Sequence, residues 1–480
     1  MQCLLKSFKM KTIDKMYVNG QFVTPTGSDT LDLINPSNMQ LIGRVTLAEE
    51  ADALSAIRAA SAAFKSFSAS TVQERMDYLQ RLHDAVIERV DDLRDATIEE
   101  YGAPVQRAVW SNRYAADAFL HFKELLQNFE FERTVGHSQV VLTPVGVTAI
   151  LTAWNSNAGS VCVKLAAAIA AGCTTVIKPS EQSALQTQIL MEAFDKAGLP
   201  AGVINVINGR GDVLGQLLST HADIARITFT GSTVVGKIIA RNAVDSMKRI
   251  TLELSGKSPN IILDDADLAT AVPMAVNACF QNNGQACIAG SRLIVPTTML
   301  AEVERLALET VSHMVVGDPG DEKTTIGPLA SQKQYDRVQG FIKSGIFDGA
   351  KLVTGGEGKP EGLEQGYYVK PTVFSQVTPD MEIAREEVFG PVLSIMTYDT
   401  DDEAVALAND TAYGLLAYVS SSNVTRAREM ASRIDAGRVL INSLAHDPLA
   451  PFGGFKQSGI GREGGIYGLE AQLEPKAIIL

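Results

Sequence analysis

The chain predicts an α/β fold, a doubly wound parallel sheet followed by a second α/β unit, and three observations carry that prediction. From Val147 onward, short β-branched runs alternate with alanine-rich helical stretches. Glycines close the helical stretches, at Gly172 and at Gly198 ahead of Pro200, where a left-handed cap resets the chain for the next strand. After Ser255 the texture changes and a second alternating series begins, which suits a chain of 480 residues dividing into two or three domains.

The elements can be set out in order. Two amphipathic helices, near Ala48–Phe64 and Val72–Glu99, repeat apolar residues at helical spacing and pack on the first sheet. Val147–Leu151 reads as a strand, Ser160–Ala171 as a helix, Thr174–Ile177 as a strand, Ser183–Lys196 as a helix and Val203–Ile207 as a strand. A helix at Asp212–Ser219, a strand at Ile224–Thr230, a helix at Thr233–Asn242 and a strand at Ile250–Leu254 complete a nucleotide-binding arrangement. In the second unit Leu268–Cys279 is helical and Leu293–Val295 is a strand, followed by Ala301–Val315, Ala350–Val353, Val392–Tyr398 and Val439–Asn442.

Composition excludes several classes. A net charge of −13 and a pI near 5.1 argue against nucleic acid, whose phosphates repel an acidic surface. No run reaches the length of a membrane span, and the longest apolar stretch, Val161–Ile177, carries Lys164. Five cysteines, at 3, 162, 173, 279 and 287, are an odd number without regular spacing, so a reduced, cytoplasmic protein is expected. The first residues, Met1–Lys11, are basic and weakly apolar and read as an extension ahead of the fold. No His, Asp or Glu cluster has metal-ligand spacing, so no metal is expected.

The sharpest chemical feature is Cys287, set among Gly284, Gln285, Ala286, Ile288, Ala289 and Gly290, residues too small to shield a thiol. A thiol attacks carbonyls as the thiolate, so its site must lower its pKa or hold a base nearby. Glu253 ends an otherwise apolar strand. An acidic residue there is paired, with Lys257 or Lys178, or it is a general base made less acidic by a dry cleft. Asn155 follows the strand Val147–Leu151 and offers a neutral amide donor for an oxyanion.

Three further segments suit a dinucleotide. Phe229-Thr230-Gly231-Ser232 follows a strand and opens a helix, where backbone amides and a hydroxyl meet a phosphate. Lys178-Pro179-Ser180-Glu181 sits past a strand end and offers a cation and a carboxylate to a ribose diol. Glu181 also repels a 2′-phosphate, favouring NAD over NADP. Glu386-Glu387-Val388-Phe389 places carboxylates beside an aromatic ring. Gly209-Arg210-Gly211 with Gly215 misses a dinucleotide fingerprint by one residue.

Taken in order, Ala153-Trp154-Asn155, Lys178 to Glu181, Phe229 to Gly236, Leu252 to Lys257, Gly284 to Cys287, Glu386 to Pro391 and Pro451 to Glu463 resemble the aldehyde dehydrogenase superfamily from about Met16 to the C-terminus. The resemblance implies a Rossmann-type NAD-binding domain (16–130 and 145–255), a catalytic domain (256–440), an oligomerisation arm (131–144 and 470–480) and a substrate and cofactor loop region (441–469). It implies nonphosphorylating oxidation of a small-molecule aldehyde to a carboxylic acid by a homodimer or homotetramer. Cys287 would be the nucleophile, Asn155 the oxyanion donor and Glu253 the base that hydrolyses the thioester. The implied cofactor set is Trp154, Lys178, Glu181, Gly211, Gly215, Phe229, Gly231, Ser232, Leu254, Glu387 and Phe389.

Two departures from the family pattern stand out: Ala153 where a proline is usual, and Ser255 where a glycine is usual. The first removes a fixed φ before Trp154, and the second is expected to strain a backbone that glycine would take more easily. The residue after Asn155 is Ser156 rather than an aromatic one, so the aldehyde tunnel is expected to be wide or polar. Val163, Ala286, Ile288, Leu444, Ala445, His446 and Phe452 are further lining candidates. They include no arginine or lysine to clamp a carboxylate, so a medium or bulky apolar or aromatic aldehyde is expected and succinate semialdehyde disfavoured.

Overall fold

The computed structural model describes residues 10–479, so most of the leading extension and Cys3 fall outside it. Five parallel strands form the centre of an eight-stranded sheet: Arg249–Glu253, Ile224–Thr230, Val147–Leu151, Thr174–Lys178 and Ile204–Val206, in that spatial order. Antiparallel pairing extends both edges, with Met16–Val18 and Gln21–Val23 beyond Ile204–Val206 and the short strand Gly459–Ile460 against Leu252 and Glu253. From Val147–Leu151 the chain winds outward through Thr174 and Ile204, then crosses back to place Ile224–Thr230 on the other side. The order therefore reverses beside Val147–Leu151, and a doubly wound sheet leaves its ligand crevice at the carboxyl ends of the strands around such a point.

Burial explains why these runs became strands. All five residues of Val147–Leu151 and of Thr174–Lys178 are buried, as expected when helices cover both faces of a parallel sheet. Helix Asn157–Ala171 packs on one face and is closed by Gly172 at φ 87°, while helices Glu50–Phe67 and Gly211–Thr220 pack on the other. The single helix expected over Val72–Glu99 is two, Val72–Glu88 and Val90–Tyr101. The chain breaks at Arg89, where φ −102° and ψ 11° leave the helical region. Helix Val105–Leu126, which follows Gly102, has no counterpart among the expected elements, and its Phe119 and Phe122 pack into the same core as helix Asn157–Ala171.

A second sheet of seven strands runs Lys351–Thr354, Thr372–Ser375, Val392–Tyr398, Arg292–Pro296, Pro259–Ile262, Leu416–Ser420 and Arg438–Ile441, parallel except at its first edge. The expected helix Ala301–Val315 is shorter, Leu300–Ser312. Strands Glu132–Val135, Ser138–Pro144 and Leu473–Ile479 make a separate three-stranded antiparallel sheet, whose last strand is largely exposed. No helix among the described residues is long and apolar enough to cross a membrane.

Candidate active site

A cleft of about 600 Å³ opens where the first sheet reverses its order, and the second unit forms its other wall. Ala153, Trp154 and Asn155 enter it from the end of strand Val147–Leu151, Thr230, Gly231 and Ser232 from Ile224–Thr230, and Glu253, Leu254 and Ser255 from Arg249–Glu253. Across from them stand Cys287, Glu387 and Phe389.

The cysteine sits on a tightly built turn. Asn282 and Asn283 both adopt φ of +57°, a left-handed geometry that asparagine tolerates better than most residues, and Gly284 continues it at +69°. Side-chain bonds hold this unusual path: Asn283 Nδ2 donates to the carbonyls of Gly102 and Pro328, both at 3.0 Å, and Gln285 Oε1 accepts the Ala330 N–H at 3.0 Å. Gly256 must be a glycine, because a Cβ there would lie 2.2 Å from the Cys287 carbonyl oxygen.

Nothing in this setting favours the thiolate by charge. Burial pushes the Cys287 thiol up to about 12, and the carboxyls of Glu387 and Glu253 push in the same direction, against the backbone N–H groups of Cys287 and Ile288. A thiol made acidic by these neighbours is not what the structure shows. Glu253 is the buried carboxyl in the same cleft. It is 2% exposed, both its carboxyl oxygens lack a hydrogen-bond partner, and neither Lys257 nor Lys178 pairs with it among the described residues. Burial first, and then the carboxylate of Glu463, hold its pKa well above the ordinary carboxylate range.

Asn155 reaches from the other wall. Its Nδ2 donates to the carbonyl of Gln285 at 3.0 Å, which aims the amide at the turn carrying Cys287. Asn282 Nδ2 donates to the backbone carbonyls of Asn155 and Gln285, at 3.3 and 3.2 Å, tying the two segments together.

The dinucleotide candidates divide into two groups. Lys178 Nζ is buried and donates to Glu181 Oε2 at 3.1 Å and to the Pro179 carbonyl at 2.9 Å. Ser232 caps helix Thr233–Val244, its hydroxyl accepting the Val235 N–H at 3.4 Å, and Gly231 leaves room for the Phe229 ring, which a Cβ would approach to 2.3 Å. Gly211 opens helix Gly211–Thr220 with free space where a Cβ would be, and Gly215 packs toward Leu151. On the facing wall Glu387 Oε1 accepts the Gly256 N–H at 3.0 Å. Ser255 is absent from the left-handed residues, so the strain expected of it is corrected: its backbone suits any residue. Phe389 takes φ +60°, held by Gln334 Nε2 donating to its carbonyl at 2.7 Å, and its ring meets Trp154 edge-on at 5.5 Å.

The substrate-side candidates are less uniform. Ser156, with Asn155, lines a small separate pocket beside the cleft, formed against helix Val105–Leu126. Ile288 and Leu444 pack together against a small buried cluster, and the guanidinium of Arg438 lies 5.2 Å over the Phe452 ring. Val163 instead borders a pocket with Lys164, Arg226 and Glu463 behind Glu253. Ala286 flanks the thiol in a half-buried turn. His446 lies 6.1 Å from the Trp110 ring, and burial with the nearby Arg438 and Arg107 lowers its pKa. Arg107 lines the same small pocket as Asn155 and Ser156. Sequence reasoning also missed Trp110 and Tyr114, whose helix carries no motif, and the ion pair between Lys164 and Glu463, whose partners lie far apart along the chain.

A doubly wound sheet with a thiol, a side-chain amide and a partnerless carboxyl at its crevice suits the class of dinucleotide-dependent enzymes. Comparison with known proteins makes that specific. The model of the aldehyde dehydrogenase family matches residues 22–478, and the chain belongs to that family. A 3-succinoylsemialdehyde-pyridine dehydrogenase from a Pseudomonas species is 44% identical over 98% of this chain and 99% of its own length. Among solved structures, a variant of aldehyde dehydrogenase C from Pseudomonas syringae in complex with NAD+ and octanal matches with a TM-score of 0.97 and 44% identity, covering 99% of both chains. An aldehyde dehydrogenase from Mycobacterium tuberculosis complexed with NAD+ matches at 0.95 and 38%, covering 98% of this chain and 99% of the other.

Proposed function

We propose that this enzyme oxidises a medium-sized aldehyde to its carboxylic acid with NAD, Cys287 acting as nucleophile, Asn155 as oxyanion donor and Glu253 as the base of thioester hydrolysis. The observation that carries the reading is the meeting of those three groups in one cleft at the sheet's switch point. The thiol passes its proton to solvent water, and the resulting thiolate sulfur bonds the aldehyde carbon as the C=O π electrons move onto oxygen. The Asn155 amide and the Cys287 backbone N–H hold the oxygen that becomes negative. NAD, when bound, accepts the hydride that leaves that carbon, which turns the adduct into a thioester. Glu253 then takes a proton from water, whose oxygen attacks the thioester carbon and frees Cys287.

The residues present fit NAD. The capped start of helix Thr233–Val244 faces the cleft and supplies amides and the Ser232 hydroxyl to a pyrophosphate. Lys178 and Glu181 suit a ribose diol, and the Glu181 carboxylate opposes a 2′-phosphate, which favours NAD over NADP. Glu387, steadied by the Gly256 N–H, and Phe389 suit the nicotinamide half. On this reading residues 16–130 and 145–255 serve the cofactor and 256–440 the chemistry. The exposed strand Leu473–Ile479 is the surface through which a cytoplasmic dimer or tetramer assembles.

Trp110 and Tyr114, stacked at 5.4 Å, with His446 and Phe452 give the aldehyde path aromatic walls. The P. syringae relative holds octanal, and the Pseudomonas relative is named for 3-succinoylsemialdehyde-pyridine; both are medium-sized aldehydes. Formation of reduced dinucleotide across an aldehyde panel, with NAD or NADP and with or without CoA, tests the proposal. Oxidation that needs no CoA supports it, and a strict need for CoA overturns the hydrolytic role of Glu253.

A further inference from the structure

We infer that Lys257 is a positioning residue for the cofactor: its ammonium is the counter-charge that holds Glu387 as a carboxylate for the nicotinamide half of the dinucleotide. The inference rests on the reading above, in which Glu387 serves that half. Lys257 lies on the short connection, residues 254–258, that carries the chain from strand Arg249–Glu253 of the first sheet to strand Pro259–Ile262 of the second.

The backbone fixes where this side chain starts. One residue before it, the Gly256 N–H donates to Glu387 Oε1 at 3.0 Å, and the carbonyl of Lys257 itself accepts Arg292 Nε at 3.0 Å. Lys257 is 1% exposed, and among the described residues its buried Nζ has no hydrogen-bond partner. An ammonium stripped of water is costly to hold, and packing alone does not ask for one, since an apolar chain of the same length fills the space without that cost.

The groups around Lys257 decide what its charge serves. Arg292 opposes it, with a guanidinium committed to the carbonyls of Lys257, Leu407 and Ala408. Cys279 lies close enough to favour the charge, but burial pushes that thiol up to about 12 and it stays neutral. Glu386 is exposed, so solvent screens it. Glu387 is left as the anion that answers Lys257, and the influence is mutual. Burial raises the Glu387 carboxyl, and among the groups that lower it again are the Gly256 N–H, the exposed Arg337 and the buried Lys257. Burial, and then Arg292, bring Lys257 down to about 7, so its charge is present below that pH and fades above it.

The test reads NAD binding, by titration calorimetry of the intact protein, for the unmodified chain, Lys257→Met, Glu387→Gln and the double variant. Without the ammonium Glu387 keeps a proton more readily, so Lys257→Met raises Kd for NAD roughly tenfold at about pH 6. The gap closes by about pH 9, where the unmodified lysine is itself uncharged and Glu387 is ionised in both proteins. In the Glu387→Gln background Lys257→Met adds nothing further, because there is no carboxylate left to hold. A Kd unmoved by Lys257→Met, a Kd raised equally at every pH, or two single effects that add in full overturns the inference while leaving Glu387 its role. Should Lys257→Met fold poorly, thermal melting of Glu387→Gln takes its place. That variant leaves the buried ammonium without its anion, so it loses more stability at about pH 6 than at about pH 9, and an equal loss at both overturns the inference. Glu387→Gln binding NAD as tightly as the unmodified protein overturns the reading of Glu387 and this inference with it.

Discussion

Replacing Asn155 with alanine separates catalysis from architecture at this site. The Asn155 amide donates to the Gln285 carbonyl at 3.0 Å, but that carbonyl also accepts from Asn282 Nδ2 at 3.2 Å. The Asn282 amide keeps its other acceptor too, since the Asn155 carbonyl belongs to the backbone. Truncation therefore orphans no buried group, and the loss of stability is about 1 kcal/mol or less. The oxyanion, in contrast, loses one of its two donors, which costs about 3 kcal/mol of barrier, a factor of roughly a hundred to a thousand in kcat. Stopped-flow measurement of NADH release in the first turnover, paired with thermal melting, reads both quantities. Asn155→Asp falls further than alanine, because a third carboxylate then faces a thiol already opposed by Glu253 and Glu387. A first-turnover rate for Asn155→Ala within about tenfold of the unmodified enzyme refutes the oxyanion role.

Glu253→Gln retains a first burst of NADH and then stalls as acyl-enzyme, detectable as a mass increment on Cys287; steady turnover after the burst contradicts the base assignment. The same change stabilises the fold at alkaline pH. The folded carboxyl titrates far above its unfolded value, so its contribution is fully present below the ordinary carboxylate range and is lost as pH rises, a loss glutamine does not suffer. Melting curves at acid and alkaline pH must therefore converge at the acid end. Because both Glu253 and Cys287 are raised, kcat/KM climbs with pH above neutrality, and a flat profile from about pH 6 to about pH 9 is inconsistent with the site described. Glu181→Ser, which frees Lys178 from its carboxylate, shifts the kcat/KM ratio toward NADP by about tenfold, and an unchanged ratio removes Glu181 from cofactor selection.

The electrostatics of Cys287 work against the thiolate: burial pushes the thiol up to about 12, and Glu387 and Glu253 push in the same direction. On the proposed reading those two carboxyls serve other steps, Glu387 the nicotinamide half and Glu253 the attacking water. Asn155, being uncharged, can assist an oxyanion without adding to that opposition.

What could be read along the chain and what could not divide on one physical line, between neighbours in sequence and neighbours in space. Val147–Leu151, Ile224–Thr230 and Val392–Tyr398 were legible to the residue because each is an almost wholly buried β-branched run between strong turn signals. Helix Val105–Leu126 was not, since it packs against several helices at once and its apolar residues therefore fill no single stripe. Cys287, Asn155 and Glu253 stood out because each is chemically odd for its local run. Their state did not follow from those runs: the thiol is opposed by a residue a hundred positions away, and Glu253 is left unpaired although Lys257 follows it by four. Arg107 escaped for the same reason. Nothing in Pro104-Val105-Gln106-Arg107-Ala108 distinguishes a solvated arginine from one half-buried in the same small pocket as Asn155, a placement that follows only from the packing of that helix.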